Sequence, residues 1–478
     1  MATRVFSAAD QEEFARWSGD RNPMHMDALA ARRTQAGAPV VHGMHLLLWS
    51  LDAVLQDHPE LRGIQRIRAQ FQKFVLVGEE AVAELISVKA KTARWAVSVD
   101  GGVRCKFQAS FAEDIADHGS RQQTAENESD AGEDAPTIPV ELSFADLTDR
   151  SGAIRMPSST AHEAPYPMAT ERIGAVRMAA LAASSTLVGM VCPGLHSIYG
   201  ELTVDAVPLD KSRNALHFRV VETDERFRTV SMEIEGGGWT GKVEAFLRTP
   251  PVAQPGMDDL RGYFPADAFA GVRALIVGGS RGLGELTAKL LAAGGAQTWI
   301  TYRSGKADAE RVAETIQSAG GSCKVVPWDA TSDPEPLLER MEEAPTQVYY
   351  FPTPTIFRPQ ARLYQAERAQ EFLQVYVDGF WALVQAVRSR NPAVRLYYPS
   401  TIYVNERPAG MTEYSMAKAA GEVLCADINA QLAPTRVVVT RLPRLATDQT
   451  ASITAVETES AVDAMVQVIR SMHSQAQY

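Results

Sequence analysis

The stretch from Ala274 to Ala293 constrains the fold more than any other part of the chain. An apolar strand pattern at 274–278 runs into a glycine-rich turn, and a helical pattern follows at 283–293. Further short apolar strands, with helical patterns between most of them, lie at 298–302, 325–328, 348–351, 396–399 and 437–442. Alternating strands and helices of this kind predict an α/β, doubly wound parallel sheet over residues 270–478.

Two segments upstream of this region repeat one simple pattern. The pairs Gly101-Gly102 and Gly237-Gly238 each precede an alternating strand, as in a hairpin turn. Each segment also has a long apolar helical pattern, at 44–55 and at 173–188, followed by strand-like residues at 67–77 and 202–206. We therefore expect two copies of an α+β unit in which an antiparallel sheet wraps one buried helix.

Two stretches are predicted to be linkers. Residues 113–139 are rich in Asp and Glu and almost lack large apolar side chains, so they cannot bury enough surface to offset their ordering entropy. Residues 249–271 contain four prolines that interrupt regular structure. The predicted domains are therefore 1–112, 140–250 and 270–478, with 113–139 as a flexible acidic linker.

Composition disfavours nucleic-acid binding, a zinc or disulfide framework, a membrane span and secretion. The net charge of -11 disfavours non-specific nucleic-acid binding. The four cysteines form no Cys-x-x-Cys pair, which disfavours a zinc site or a disulfide framework, so we expect no metal. No apolar run is long enough to span a membrane, and residues 1–10 lack the pattern of a secretory signal. We expect a cytoplasmic protein.

The densest chemical pattern is the string Ser18 to Asp27, followed by His42-Gly43-Met44 at the head of the first apolar helix. Asp20 and His25, five residues apart and fixed by a Pro turn, can converge on one water or one substrate hydroxyl. Hydration of an enoyl thioester needs a base, an acid and a donor for the developing enolate oxygen. A backbone N–H at a helix N-terminus supplies such a donor, and glycine permits close approach.

This string resembles the MaoC-like (R)-specific enoyl hydratase and 3-hydroxyacyl dehydratase family, which has a hot-dog fold, over about residues 1–112. The resemblance implies that Asp20 and His25 are the catalytic dyad, that Gly43 binds the thioester carbonyl and that Asn22 orders the loop. His42 is expected to line the mouth of the pocket. The second copy lacks the string and is interpreted as a degenerate hot dog that completes the sheet and walls an acyl tunnel; His196 in it is taken as structural.

A second motif combines the glycine-rich turn at 277–284 with Tyr414 and Lys418. Glycines at the start of a helix let the backbone approach a pyrophosphate. Tyr414 and Lys418 are four residues apart and share one helix face. A neighbouring ammonium and a nicotinamide cation can lower the pKa of the tyrosine, so that it donates a proton to a nascent alkoxide.

These residues resemble the short-chain dehydrogenase/reductase superfamily, with a Rossmann-like domain. The resemblance implies that Tyr414 and Lys418 are catalytic, with Thr401, or Ser400 as the alternative, as the hydroxyl residue. It also implies further cofactor contacts. These are Gly278, Ser280, Arg281, Gly282, Leu283, Gly284, Asp329 beside the adenine, and Pro443 and Thr447 beside the nicotinamide. Arg303 follows the second strand where an acidic residue would select NADH, and with Arg281 it suits a 2′-phosphate, so NADPH is the expected cofactor.

The combined pattern predicts a bifunctional 3-oxoacyl-thioester reductase and 3-hydroxyacyl-thioester dehydratase of fatty-acid or polyketide type. The sequence leaves open whether the carrier is acyl carrier protein or coenzyme A, and a homodimer is expected. Departures from the reductase pattern include Phe351 to Pro354 in place of Asn-Asn-Ala-Gly, Tyr376 in place of a relay Asn, and Val277 and Arg444 in place of a Thr and a Gly. One alternative is therefore an active hydratase with a degenerate reductase domain, and another is a non-catalytic acyl-chain scaffold.

Overall fold

The computed structural model describes residues 1–89, 91–112, 132–157, 165–209, 214–354, 356, 363–445 and 459–474. Two compact units are present; the first contains Met1–Pro250 and the second begins at Pro251. Among the described residues of the first unit, ten strands form one antiparallel sheet. The strands are β1 (Ala2–Val5), β2 (Ile64–Phe71), β3 (Glu80–Lys89), β4 (Thr92–Val99), β5 (Gly102–Phe111), β6 (Ser151–Arg155), β7 (Ser197–Ala206), β8 (Ala215–Asp224), β9 (Thr229–Gly236) and β10 (Trp239–Leu247).

The sheet runs continuously through both sequence repeats in the order β1-β3-β4-β5-β2-β7-β10-β9-β8-β6. Strands β2 and β7 join the two halves, with Ile67 opposite Val204. The helices are α1 (Ala8–Ser18), α2 (Pro23–Met26), α3 (Ala28–Ala31), α4 (Gly43–Asp57), α5 (Pro167–Ile173) and α6 (Ala175–Thr186), with a 3-10 turn at Phe144–Leu147 and a π-helical turn at Leu187–Val191.

The apolar faces of α4 and α6 belong to one hydrophobic core. Leu47 and Leu51 of α4 are fully buried, as are Met178 and Leu181 of α6. All four belong to a single cluster that also contains apolar side chains from both halves of the sheet. The helical spacing of apolar residues in the sequence therefore corresponds to the faces that the two helices bury.

Three local predictions for the first unit need correction. The second apolar helix does not begin at Ile173, because Gly174 at φ 96° ends α5 and α6 begins at Ala175. Val75 and Val77 lie beyond β2, which ends at Phe71. Most of the predicted acidic linker lies outside the described residues, but Glu133 is no free tether, since its backbone pairs with Ala153 and Arg155.

The second unit contains six described strands in one parallel sheet, ordered β13-β12-β11-β14-β15-β16. They are β11 (Arg273–Val277), β12 (Gln297–Tyr302), β13 (Ser322–Pro327), β14 (Gln347–Tyr350), β15 (Arg395–Thr401) and β16 (Arg436–Leu442). Helices are α7 (Met257–Leu260), α8 (Gly282–Ala293), α9 (Lys306–Ser318), α10 (Glu335–Glu339), α11 (Ala366–Leu373), α12 (Phe380–Arg390), α13 (Tyr403–Glu406), α14 (Thr412–Gln431) and α15 (Ala461–Ser474), with a π-helical turn at Gln374–Gly379.

Both faces of this sheet are covered. Leu275 and Val277 of β11 belong to one apolar cluster, whereas Ala274 and Ile276 belong to another. Successive side chains of a strand point to opposite faces, so two separate clusters mean that apolar layers pack on both sides. The strand order reverses between β11 and β14, and this switch point is where doubly wound sheets open a crevice for ligands.

The predicted second linker, residues 249–271, is only partly a linker. Met257 and Leu260 of α7 and the neighbouring Phe269 are buried in the same apolar cluster as α8. The compact unit therefore begins at Pro251 rather than near residue 270. Two of the four prolines, Pro251 and Pro255, lie in irregular chain at 251–256 as predicted, but the apolar side chains that follow pack into the core.

Within the described ranges, no single helix is long and apolar enough to cross a membrane. The two helical segments Pro167–Ile173 and Ala175–Val191 are together long and apolar enough, but a bend of 114° separates them.

Replacement of Leu47 by Ala should destabilise the first unit. Leu47 is fully buried on α4, so we expect the free energy of unfolding to fall by about 2–5 kcal/mol through lost burial and a cavity. Hydrogen exchange of the α4 amides measures this change in the first unit. Ile86→Ala is the control, because that side chain is 64% exposed, and should change stability by under about 0.5 kcal/mol. Equal effects of the two variants would contradict the assignment of Leu47 to the core.

Candidate active sites

The loop between α1 and α2 carries the predicted dyad. Helix α1 ends at Gly19, which adopts φ 88° in the left-handed region that glycine tolerates. The Asn22 side chain caps α2 by accepting from the Met24 N–H, and Pro23 occupies the first helical position. Asp20 and His25 both line one pocket, so the structure brings together the two side chains that the motif predicted.

The Asp20 carboxylate is buried and hydrogen-bonded from both halves of the unit. Its Oδ2 accepts from Ser185 Oγ at 2.7 Å, and its Oδ1 accepts from the Asn22 N–H at 3.2 Å. Burial raises the pKa of this carboxyl, while the imidazole of His25 and the hydrogen bonds from Ser185 and Asn22 oppose the increase. The acid therefore holds its proton to higher pH than an exposed aspartate does.

Gly189, in the π-helical turn after α6, makes room for this carboxylate. A Cβ atom at position 189 would lie 2.3 Å from Asp20 Oδ1. The Gly189 carbonyl also accepts from Asn22 Nδ2 at 2.7 Å, which ties the dyad loop to the turn. Neither Ser185 nor Gly189 was predicted as a site residue; a glycine within an apolar helical pattern is the only local signal in the sequence.

His25 is set up as a neutral base. Its Nδ1 lies 2.8 Å from the Val40 carbonyl oxygen, which can only accept, so Nδ1 carries the proton and Nε2 keeps its lone pair. Burial lowers the pKa of His25, and the nearby Asp20 and the Val40 carbonyl oppose this decrease. One nitrogen or oxygen atom from each of Asp20, His25 and His42 lies within 4.8 Å of the others.

Gly43, as predicted, begins α4 and lines the same pocket. The first N–H groups of a helix have no acceptor within the helix, and the helix dipole favours negative charge there. A Cβ atom at this position would lie 3.0 Å from the Phe71 ring, so glycine keeps the N-terminus of α4 open to the pocket.

The predicted position of His42 is wrong. It is fully buried and does not line the pocket mouth. Its ring stacks on His25 with centroids 3.8 Å apart, and its two nitrogens face Gln11 Oε1 and the Asp20 carbonyl oxygen. Asp20, His25 and His42 lie close enough together to hold a metal ion. However, stacked rings direct their in-plane lone pairs side by side rather than towards one ion.

The pocket encloses about 560 Å³ of empty space, including its open mouth. Side chains from both sequence repeats line it, and most are apolar. The first half contributes Met24, Val40, Val41, Leu46, Phe71, Lys73, Phe74, Val75 and Cys105, and the second half contributes Val188, Ser197, Ile198 and Tyr199. His196 lies elsewhere, with Nε2 3.0 Å from Glu141 Oε1.

The glycine-rich turn of the second unit lies between β11 and α8, at the switch point of the sheet. Gly278 has φ 77°, and its N–H donates to Thr301 Oγ1 at 3.1 Å. A Cβ atom on Gly284 would lie 2.3 Å from the Gly278 carbonyl oxygen, so only glycine allows the helix to approach the strand this closely. Gly282, at φ 57°, has open space around it. This backbone cradle at the α8 N-terminus fits a pyrophosphate.

The remaining predicted cofactor residues are placed around this turn. Ser280 is buried and Leu283 is half-buried, and Arg281 immediately precedes α8. The Arg303 side chain is 69% exposed, with Nε 4.0 Å from Asp329 Oδ2. Pro443 follows β16, whereas Thr447 lies outside the described residues.

The structure distinguishes the two candidate hydroxyl residues beside Tyr414. Thr401 hydrogen-bonds to Tyr414, whereas Ser400 Oγ donates to Glu422 at 2.5 Å. Glu422 also pairs with Arg441, so Ser400 belongs to a separate ionic cluster. Without a cofactor, burial raises the pKa of Tyr414 to about 12, and the hydrogen bond with Thr401 partly offsets this effect. The lowering expected from a bound nicotinamide cation stays a prediction.

Lys418 lies in a cluster of aromatic rings. Its Nζ donates to the Pro399 carbonyl at 2.6 Å and lies 3.8 Å from the ring centroid of Tyr376. Burial lowers the pKa of Lys418 to about 7. The Tyr376 hydroxyl contacts Thr353 Oγ1. Tyr376 stands where the family has its relay Asn, and Thr353 lies in the segment that stands where the family has Asn-Asn-Ala-Gly. The two departures from the family pattern are therefore physically coupled.

Comparisons with known families agree with this division. Residues 2–105 match the sequence model of the MaoC like domain, and residues 273–350 match that of the short chain dehydrogenase. The chain therefore joins a MaoC-like domain to a short-chain dehydrogenase domain. The comparison with curated proteins found no match.

Solved structures similar to this chain include short-chain dehydrogenases. One from Burkholderia cenocepacia J2315, in complex with NADP, is 22% identical, with 43% of this chain and 91% of that chain covered and a TM-score of 0.40. A 3-oxoacyl (acyl-carrier-protein) reductase from Agrobacterium tumefaciens C58, with NADP bound, is 19% identical, with 38% and 73% covered and a TM-score of 0.35.

Removal of the Ser185 hydroxyl should raise the pKa of Asp20 further. The hydrogen bond from Ser185 stabilises the ionised carboxylate, so Ser185→Ala favours the protonated form. Carboxyl ¹³C NMR titration of labelled aspartate measures the shift, with Asp20→Asn identifying the resonance. Ser184→Ala is the matched control, because the Ser184 hydroxyl donates to Leu181 instead. An Asp20 pKa that is the same in Ser185→Ala and wild type would contradict the role assigned to Ser185.

Proposed function

We propose that this protein reduces 3-oxoacyl thioesters with NADPH and interconverts the resulting 3-hydroxyacyl thioesters with 2-enoyl thioesters. One observation supports the lyase activity above all: Asp20, His25 and the N-terminus of α4 at Gly43 line the same largely apolar pocket. An acid, a base and an oxyanion donor are the three groups that addition of water to an enoyl thioester needs.

The proton positions follow from the environments of the two side chains. In the hydration direction, neutral His25 takes a proton from water through Nε2 as the water oxygen bonds to C3 of the substrate. Protonated Asp20 delivers its proton to C2, and the Gly43 N–H stabilises the enolate oxygen. Dehydration is the reverse, with the C2 proton returning to Asp20 and the hydroxyl leaving as water with a proton from His25. The dyad holds one transferable proton in either direction.

The reductase step uses Tyr414 and its neighbours. When bound, NADPH supplies a hydride for the 3-oxo carbon. Tyr414, whose raised pKa keeps the phenol protonated, donates a proton to the carbonyl oxygen, and Thr401 orients the phenol through their hydrogen bond. The turn from Gly278 to Gly284 would hold the pyrophosphate, Arg281 and Arg303 the 2′-phosphate, and Lys418 would contact the ribose.

The two reactions are consecutive steps of acyl-chain processing, because the reductase product is the dehydratase substrate. Fusion in one chain raises the effective concentration of the intermediate. A pathway of the fatty-acid or polyketide type in the cytoplasm fits this order. The substrate is carried as an acyl carrier protein or coenzyme A thioester, and a homodimer is the expected assembly.

The test uses two separate substrates with four variants. Wild-type protein should hydrate crotonyl thioester, seen as loss of enoyl absorbance, and should oxidise NADPH with a 3-oxoacyl thioester. Asp20→Asn should lower hydration by about 10²–10⁴-fold and leave NADPH oxidation unchanged. Tyr414→Phe should have the opposite pattern. Ile86→Ala, at an exposed position, is the control for both. Hydration that survives Asp20→Asn and His25→Gln would exclude the proposed lyase site.

A second candidate, an active hydratase with a non-catalytic reductase domain, is favoured by one observation. Tyr376 stands in place of the relay Asn and Thr353 lies in the segment in place of Asn-Asn-Ala-Gly, and their hydroxyl groups contact each other beside Lys418. NADPH fluorescence titration tests this candidate. Binding without turnover of any 3-oxoacyl thioester would favour a binding or assembly role for the domain, and turnover would exclude it. A non-catalytic acyl-chain scaffold would have neither activity.

The hydration rate should depend on pH in a bell shape. The reaction needs neutral His25, so its acid limb should lie below the ordinary histidine pKa, because burial lowers the pKa of His25. It also needs protonated Asp20, so its alkaline limb should lie above the ordinary aspartate pKa, because burial raises that pKa. A kcat/KM profile for crotonyl thioester measures both limbs. A rate that rises steadily from about pH 4 to about pH 9, a range that spans the ordinary pKa values of Asp and His, would contradict these assignments.

Arg303 should determine the preference for NADPH over NADH. A charge-assisted hydrogen bond to a phosphate is worth about 1.5–3 kcal/mol, so Arg303→Ala should weaken NADPH binding by about 10–100-fold. NADH binding should change by less than about twofold, since NADH lacks the 2′-phosphate. Fluorescence titration gives both constants. Arg311→Ala, an exposed arginine on α9 that pairs with Asp308, is the control. Equal losses for both cofactors would assign Arg303 another role.

A further inference from the structure

His42 lies directly behind the catalytic dyad rather than in the pocket. It is fully buried, and its ring packs against His25 with centroids 3.8 Å apart and an angle of 23° between the planes. Phe14 of α1 lies beyond it, with ring centroids 4.8 Å apart. The His25 imidazole therefore rests on a flat, rigid surface supplied by the residue that immediately precedes α4.

The edge of the same ring contacts the other member of the dyad. His42 Nε2 lies 3.1 Å from the carbonyl oxygen of Asp20, and Nδ1 lies 2.9 Å from Gln11 Oε1. The Gln11 oxygen also accepts from the His42 backbone N–H at 3.1 Å. A neutral ring has one N–H, so it donates either to Gln11 Oε1 or to the Asp20 carbonyl, not to both. When the ring donates from Nε2 to Asp20, Gln11 Oε1 still accepts from the His42 backbone N–H.

The ionisable groups around His42 are Asp20, His25 and His45. Burial, together with His25 and His45, lowers the pKa of His42 well below its ordinary value, so the ring stays neutral. A neutral ring under His25 stabilises an imidazolium there through its π face, whereas a second cation would repel it.

We propose that His42 is a positioning residue for the hydratase site: its face sets the plane of the His25 imidazole and its Nε2 edge fixes the Asp20 peptide. One side chain thereby sets the separation of base and acid. The inference rests on the proposed hydratase function. Gln11 of α1 accepts a hydrogen bond from the His42 backbone N–H. His42 contacts only the backbone carbonyl of Asp20, whereas the Asp20 carboxylate accepts hydrogen bonds from Ser185 and Asn22.

Two substitutions separate the face from the edge. His42→Phe keeps a flat ring beneath His25 and loses the contact with Asp20, whereas His42→Gln keeps a donor and loses the ring. Both should lower kcat for crotonyl-thioester hydration by about 10–100-fold, with KM within about twofold, because a displaced dyad loses alignment rather than substrate binding. Only His42→Gln should move the acid limb of the pH profile, to lower pH, since it alone removes the π face.

Gln11→Met provides a second route to the same test, because Gln11 contacts neither His25 nor the pocket. It should reduce kcat in the same direction by a smaller factor. Wild-type kcat in both Gln11→Met and His42→Phe would overturn the proposal, and so would an unmoved acid limb in folded His42→Gln. If wild-type protein does not hydrate, the proposed function fails. NMR titration of the His25 ring then still tests the positioning role, with a lower pKa expected in His42→Gln and an unchanged value overturning it.

Discussion

A buried carboxylate at Asp20 is the group on which the first unit depends. Burial of an ionisable group costs free energy unless its oxygens are hydrogen-bonded, and here one partner is local and the other comes from a distant part of the chain. Asn22 donates from the same loop, and Ser185 donates from the other sequence repeat. Gly189 leaves the space that the carboxylate occupies. The repeat that lacks the catalytic string therefore supplies the environment in which the string can work.

The continuous sheet explains how this dependence arises. Pairing of β2 with β7 makes the two repeats one ten-stranded layer over the described residues, and α4 and α6 share one apolar core on it. The π-helical turn after α6 brings the Gly189 carbonyl to the amide of Asn22. Irregular helical turns often occur at functional sites because they place backbone groups that a regular helix would keep bonded internally. The pocket wall and the support of the dyad thus come from the same turn.

The second unit has cationic side chains near its candidate site. Its glycine-rich turn and the arginines near it suit a phosphorylated cofactor, whereas Lys418 is enclosed by tyrosine rings and donates to a backbone carbonyl. Burial lowers the pKa of Lys418 to about 7 and raises that of Tyr414 to about 12. Burial therefore disfavours the charged form of both groups. The rings of Tyr376 and Tyr398 both contribute to this buried environment.

The sequence by itself identified the candidate site residues and the elements that hold them. Short motifs identified Asp20, His25, Gly43, Gly278 to Gly284 and Tyr414 with Lys418, because these depend on local turns, helix starts and helical spacing. Alternation and helical periodicity likewise located the six described strands of the second unit, four strands of the first unit (β2, β5, β7 and β10), and helices α4, α6 and α8. Only the tertiary structure decided what surrounds them: Ser185 reaches Asp20 across 165 residues of chain, Gln11 reaches His42 across 31, and Thr401 rather than Ser400 meets Tyr414. The physical reason is that such contacts follow from strand pairing and core packing, which carry no signature in the residues on either side of them.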